Sequence, residues 1–342
     1  MPKNGIARTR LVIVLGAVVV AWLIAPVHAA PEQTFELRDG RWQPVTQATP
    51  AGPVTDETLD RAEQLLARNQ FQPARKIVLQ WLKTNKTHPL RDRGLYLLAE
   101  AYFQFGNRIL SFYYLDELMD NFPESRLFYP ALERQYQIAD DYLNGYKRRV
   151  LYVPLLGSQD EAVEMLYRIQ GRSPGSPLAE KALLRTADFY YADSQFDLAA
   201  DAYSSYVKSY PRSPAVPRVR LRQAFSALAQ FRGLKFDATP ITDARAQLLD
   251  IRREYPELAA EENIDQIVAQ IDEAFARKVS YTADFYRRTS APKAAVYNYR
   301  YLRGKYPESA EAAKADTALQ KFPAKFLQEP APPSTQPEAV IE

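Results

Sequence analysis

The chain has 342 residues, with 44 basic and 41 acidic side chains, 46% apolar residues and no cysteine. That is enough for a sizeable core, and it leaves no disulfide, thiol nucleophile or thiolate metal site. The histidines are only His28 and His88 and there is no GxxxxGK run, so a histidine-based triad, a multi-histidine metal site and a phosphate-gripping loop are all excluded.

At the start, Lys3, Arg8 and Arg10 precede an apolar run from Leu11 to Ala25, and Val27 and Ala29 then occupy small-residue positions. This reads as an export signal over residues 1–29, cut between Ala29 and Ala30. The rival is an uncleaved anchor, but the run is shorter than the roughly 20 residues a spanning helix needs. Loss of the three basic residues leaves 41 basic against 41 acidic side chains, a neutral chain with no general attraction to nucleic acid. Residues 30–54 follow as a hairpin and linker, with alternating apolar residues around Asp39 and Gly40, a pair suited to a tight turn. A ribbon of that size is marginal alone. It is expected either to pack on the first helices or to meet a partner through Phe35, Leu37 and Trp42.

A helical array is expected over residues 55–320, opening at Thr55 as N-cap with Asp56 and Glu57 in the first turn. The first hairpin joins DETLDRAEQLLARN to PARKIVLQWLKTN, and the second joins LRDRGLYLLAEAYFQFG to RILSFYYLDELMDNF. The third is interrupted by GYKRRVLYVPLLGSQ, where Pro154, Gly145 and Gly157 exclude one continuous helix and Ser158 can cap the next. Lys147, Arg148, Arg149 and Tyr152 make this a candidate partner loop; the alternative is a loop folded back over the hairpin. The fourth hairpin runs from Leu183 to Pro214 without a gap. In the fifth, Gly233 ends one helix and Thr242 or Asp243 starts the next. Glu261 and Glu262 open a long helical pattern to about Arg288, carrying Ile264, Ile267, Val268, Ile271, Phe275 and Val279, and the sixth hairpin closes at Tyr306 and Pro307. Residues 321–342 read as a proline-rich tail that does not pack.

One pattern unites these units. Two antiparallel helices approach closely only where the facing residues are small, and a proline stops the second helix. The fourth unit shows this as Ala187, Tyr190, Ala199, Tyr203 and Pro211. The sixth repeats it as Ala283, Tyr286, Ala295, Tyr299 and Pro307, and the second as Ala99, Tyr102, Ser111, Leu115 and Pro123. The first is more degenerate, with Ala62, Leu65, Ala74 and Val78. The third and fifth fit with insertions: Ala139, Tyr142, Ala162, Leu166, Pro174, then Ala224, Ala227, Ala244, Leu248, Pro256. The pattern resembles the tetratricopeptide repeat, which implies an all-α solenoid of about six helical hairpins.

A narrower resemblance rests on the YPxSP hairpin ends, the export signal, the insertion before ARAQLLDIRREYPE, and KVSYTADFYRRTSAPKAAVYNYRYLRGKYPES. These are similar to the outer membrane assembly lipoprotein family typified by BamD, best over residues 176–314. That resemblance implies a periplasmic, non-catalytic adaptor at the outer membrane, without cofactor. Its implied partners are a β-barrel insertase and unfolded outer-membrane proteins or other envelope proteins, with peripheral association at the outer membrane. The family's lipobox cysteine has no counterpart in these residues, so no lipid anchor is expected. A cysteine-free signal also suits the CpoB (YbgF) repeat proteins of the Tol-Pal system, which are periplasmic and act in envelope and division coordination; they are the alternative.

Stacked hairpins of this kind curve so that their first helices line a groove suited to an extended peptide. Peptide-binding candidates on that face are Tyr96, Glu100, Phe103, Tyr136, Asp140, Asp188 and Tyr191, with Glu63, Leu143 and Asp284 in related positions. Acids beside aromatics suit a peptide with aromatic and basic residues; the alternative is that the acids are solvated and the aromatics pack between hairpins.

Overall fold

The computed structural model describes residues 35–38, 41–44, 55–146, 148–150, 153–155, 159–233 and 237–327. The export signal, Lys147, Leu151, Tyr152, Ser158 and the end of the tail lie outside the described residues.

Two features recur among the hairpins. The twelve small-residue positions where the helices cross are completely inaccessible. In the first helices these are Ala62, Ala99, Ala139, Ala187, Ala224 and Ala283, and in the second Ala74, Ser111, Ala162, Ala199, Ala244 and Ala295, every one 0% exposed. The turns between helices reuse one left-handed residue at the same place in the four uninterrupted units: Asn69 (φ 58), Gly106 (φ 87), Ser194 (φ 62) and Ser290 (φ 60). The next residue's N–H then reaches back to the carbonyl of Leu65, Tyr102, Tyr190 or Tyr286 at 2.8–3.0 Å, satisfying a carbonyl that the helix end would orphan.

The paired helices are α1 (Glu57–Ala67) with α2 (Phe71–Thr84), α3 (Arg91–Phe105) with α4 (Arg108–Asn121), and α5 (Phe128–Leu143) with α6 (Gln159–Arg172). They continue as α7 (Pro177–Ala192) with α8 (Phe196–Ser209) and α9 (Val216–Ala229) with α10 (Thr239–Glu254). After a short α11 (Pro256–Glu261), α12 (Ile264–Arg288) pairs with α13 (Pro292–Lys305), and α14 (Ala310–Leu319) and α15 (Ala324–Leu327) close the array. Each helix packs chiefly on its neighbours in sequence, the arrangement of an all-α helical solenoid. Its second helices end where expected: Phe122, Tyr210, Tyr255 and Tyr306, each before a proline, leave the helical region with φ between −127 and −134, as a following proline ring demands.

Several boundaries differ from the sequence reading. The N-cap of α1 is Asp56, not Thr55: its carboxylate accepts from the N–H groups of Thr58 (2.9 Å) and Leu59 (3.1 Å) and from Trp81 Nε1 of α2 (2.8 Å). That third bond ties the cap to the partner helix, which a hydroxyl at position 55 would not do. Helix α10 starts at Thr239, three residues ahead of Thr242, because Asp237 accepts from the Thr239 N–H at 2.9 Å and Pro240 suits the first turn. The long helix begins at Ile264 and not at Glu261, since Asn263 takes a left-handed conformation (φ 54) that splits off α11.

The N-terminal ribbon is present as β1 (Phe35–Arg38) and β2 (Arg41–Pro44), antiparallel with Arg38 opposite Arg41; the expected turn at Asp39 and Gly40 lies outside the described residues. It packs against the N-terminal core, with ring contacts to α5: the Phe35 ring lies 5.4 Å from Tyr129, and Trp42 lies 5.6 Å from Tyr129 and 6.4 Å from Phe128. The insertion in the third hairpin holds a second antiparallel ribbon, β3 (Arg148–Val150) with β4 (Val153–Leu155). Packing at the C-terminal end continues past residue 321, where Phe322, Phe326 and Leu327 rest on the last core cluster.

Candidate protein-binding groove

The first helices of successive hairpins lie side by side, and a line of acid–arginine pairs crosses from each to the next. Arg93 of α3 reaches Asp60 of α1 at 2.8 Å and also bonds Glu63. Arg134 of α5 grips Glu100 of α3 with two bonds, 2.6 and 2.8 Å. Arg185 of α7 meets Asp140 of α5 at 2.5 Å, and Arg222 of α9 meets Asp188 of α7 at 2.8 Å. The fork geometry of guanidinium against carboxylate makes these charge-assisted bonds directional, so they fix how one hairpin sits on the next.

Every acid expected to line the groove is therefore engaged. Glu100 is the most enclosed, and burial pushes its carboxyl up even though Arg134 and Arg108 pull it down. Asp188 also accepts from the Tyr203 hydroxyl at 2.7 Å, and Asp284 repeats that bond with Tyr299 at 2.7 Å. Burial raises the Tyr203 hydroxyl first and Asp188 adds to it.

The aromatic candidates divide into two kinds. Phe103 is enclosed on both sides, with the Arg108 guanidinium 3.7 Å and that of Arg134 4.2 Å from its ring centroid, a double cation–π contact. Arg108 in turn pairs with Asp141 at 2.7 Å and lies 4.8 Å from the Tyr146 ring. Tyr96 is half-buried against the N-terminal core. Tyr136 is buried, with Lys181 Nζ 4.5 Å from its ring, and burial followed by the neighbouring Asp140 pushes its hydroxyl up to about 12. Tyr191 is half-buried and meets Phe196 edge-on at 5.5 Å. The structure thus brings Glu100 and Phe103 into one cluster, gathers Tyr136, Asp140 and Lys181 into another, and joins Asp188 to the α7–α9 seam. Leu143 is buried in the core of the third hairpin.

Four residues that sequence reasoning missed are the arginines. Their signal was spacing: Arg134 follows Glu100, and Arg222 follows Asp188, by 34 residues, one repeat length. The separation grows to 45 for Asp140 and Arg185, where the insertion intervenes. Of the candidate partner loop, Arg148 and Arg149 lie on β3, opposite Leu155 and Pro154. Among the described residues no group of three His, Cys, Asp or Glu side chains is placed to hold a metal, and no helix is long and apolar enough to cross a membrane.

Fold and groove together define a tetratricopeptide-type helical repeat protein. The family model YfiO, described as outer membrane lipoprotein, matches residues 156–329, and the chain belongs to that family. The match takes in α6 to α15; helices α1 to α5 lie outside it. No curated protein matches the chain. Similar solved structures include a tetratricopeptide repeat protein from Parabacteroides merdae (10% identity, 77% of this chain and 96% of that chain, TM-score 0.34). Others are a thermophilic TPR protein of Thermus thermophilus (16%, 63% and 96%, 0.28) and PilW, a type IV pilus biogenesis factor (15%, 79% and 100%, 0.29). At those scores they add nothing to the functional reading.

Proposed function

We propose that the protein is an exported, non-catalytic repeat adaptor of the cell envelope. It works in the periplasm at the outer membrane, where it takes part in assembly and insertion of β-barrel proteins by holding unfolded barrel segments and an insertase. Residues 1–29 act as the export signal, and association with the membrane is peripheral. The family membership supports an envelope adaptor.

The observation that carries the peptide-binding part is the shared face of α1, α3, α5 and α7. There the charges are paired across hairpins, half-buried Tyr96 and Tyr191 lie on the same first helices, and buried Tyr136 packs beside Lys181. Paired charges need no counter-charge from a ligand, so the face binds an extended chain through aromatic contact rather than through free carboxylates. Glu100, Asp140 and Asp188 act by holding the arginines, and Phe103 by ordering Arg108 and Arg134. Lys147, Arg148, Arg149 and Tyr152 provide a second partner contact.

Fluorescence anisotropy of a labelled unfolded barrel peptide, titrated with the chain from Ala30 onward, tests this. Binding that weakens about tenfold in a Tyr96→Ala, Tyr191→Ala double variant is expected, the loss typical of truncating interface aromatics. Absence of peptide binding together with turnover of any of a panel of hydrolase substrates would overturn it.

A further inference from the structure

In most of the solenoid, one stripe on each first helix is covered by the hairpin before it. In α7 this stripe holds Ala182, Thr186 and Phe189, exposed by 0%, 0% and 7%, and in α9 it holds Val219 and Ser226, exposed by 2% and 0%. Arg185 and Arg222 lie on the same stripe and reach back to the acids of the preceding first helix.

The sixth hairpin departs from this at each point. The matching residues of α12 are Lys278, Thr282 and Phe285, and Tyr281 stands where the arginine would be. Tyr281 is 74% and Phe285 54% exposed. The preceding hairpin changes in step, since its position for the acid is taken by Phe225. The cause is the extra length between the two units: α11 and the first half of α12 carry the contacts with the fifth hairpin through Ile264, Val268 and Ile271. The second half of α12, which pairs with α13, has no neighbour on its stacking side among the described residues.

The stripe has a definite chemistry. Lys278, Tyr281, Phe285 and Arg288 follow at helical spacings of three, four and three residues, two aromatics bracketed by two cations over about 15 Å of helix. Among the described residues neither Lys278 nor Arg288 has a carboxylate in salt-bridge contact, while Arg287 is paired with Asp284 at 3.1 Å. Exposed aromatics flanked by two like charges complement an apolar segment with acids at its ends.

We propose that this stripe docks an amphipathic α-helix of a partner protein, with an apolar centre against Tyr281 and Phe285 and carboxylates meeting Lys278 and Arg288. The partner helix takes the place that a preceding hairpin takes elsewhere in the array. The surface is separate from the groove of α1 to α7, so its fate does not depend on peptide binding there.

The test titrates the full chain with a labelled helical peptide bearing a leucine stripe and glutamates at both ends. Binding is expected. It should weaken about tenfold in a Lys278→Glu, Arg288→Glu variant and return when the glutamates of the peptide are changed to lysines. A Tyr281→Ala, Phe285→Ala variant should also lose binding while keeping its helical circular dichroism and melting temperature, since both rings are exposed. No binding, equal binding of acidic and basic peptides, or equal binding of a proline-broken peptide would overturn the proposal. So would self-association in sedimentation that the alanine variant abolishes, which would assign the stripe to a second copy of the chain.

Discussion

Single residues show where the repeat pattern is satisfied and where it is compromised. Ser111 occupies a crossing position that alanine fills in the other hairpins, and its buried hydroxyl has no hydrogen-bond partner among the described residues. Ser111→Ala should therefore stabilise the second hairpin by about 1 kcal/mol, the cost of an unsatisfied buried hydroxyl, seen as a higher midpoint in urea unfolding. Two carboxylates should leave opposite marks on the pH dependence of stability. The Tyr299 hydroxyl, and Arg287 after it, hold Asp284 below its ordinary 3.8. Its contribution is full above that value and is lost as pH falls through the lower folded one. Burial instead raises Glu100 above its ordinary 4.5, so the native state binds the extra proton and stability declines as pH climbs through the window just above 4.5. Melting curves across pH 2 to 7 should show Asp284→Asn flattening the acid limb and Glu100→Gln removing the decline. An unchanged profile in either variant would refute its assignment.

At the scale of elements, hairpins were legible because small residues and pre-proline aromatics recur at fixed separation: the small residues are buried at the crossings, and the aromatics are half-buried against the core clusters. The left-handed turn residues were not, because Asn69, Ser194 and Ser290 carry no signal as strong as Gly106. The break at Asn263 was hidden by hydrophobic spacing that runs through it on either side. The seat of the β1–β2 ribbon on Tyr129 was equally hidden, since nothing local to residues 35–44 names a contact so far along the chain. In the groove, the acids and aromatics were visible as residue types, but their arginine partners sit on the next hairpin, and only the repeat-length separation could have linked them. Gly94 is another residue whose role depends on a neighbouring element. A Cβ there would lie 2.9 Å from Leu82 Cδ2 and 3.0 Å from the Trp81 ring, so a side chain at this position would force Leu82 and Trp81 of α2 to shift. Gly94→Ala should cost about 1–3 kcal/mol through overpacking, measurable by denaturation followed through tryptophan fluorescence.

For the whole molecule, stability is a sum of hairpins and the seams between them, and the acid–arginine line makes those seams specific. Arg134 joins the second hairpin to the third through Glu100, whose side chain is only 14% exposed, and covers Phe103 as well. Arg134→Ala leaves a largely enclosed carboxylate unpaired and should cost about 3 kcal/mol. Hydrogen exchange should then show α1 to α4 opening separately from the rest, and a uniform loss of protection would contradict this. The most direct check is photo-crosslinking in the cell envelope from a probe placed at Tyr191 in the groove, followed by identification of the captured chains. Unfolded β-barrel proteins, with an insertase recovered in the same complexes, are the predicted capture; Tol or Pal components, or no polypeptide at all, would contradict the account.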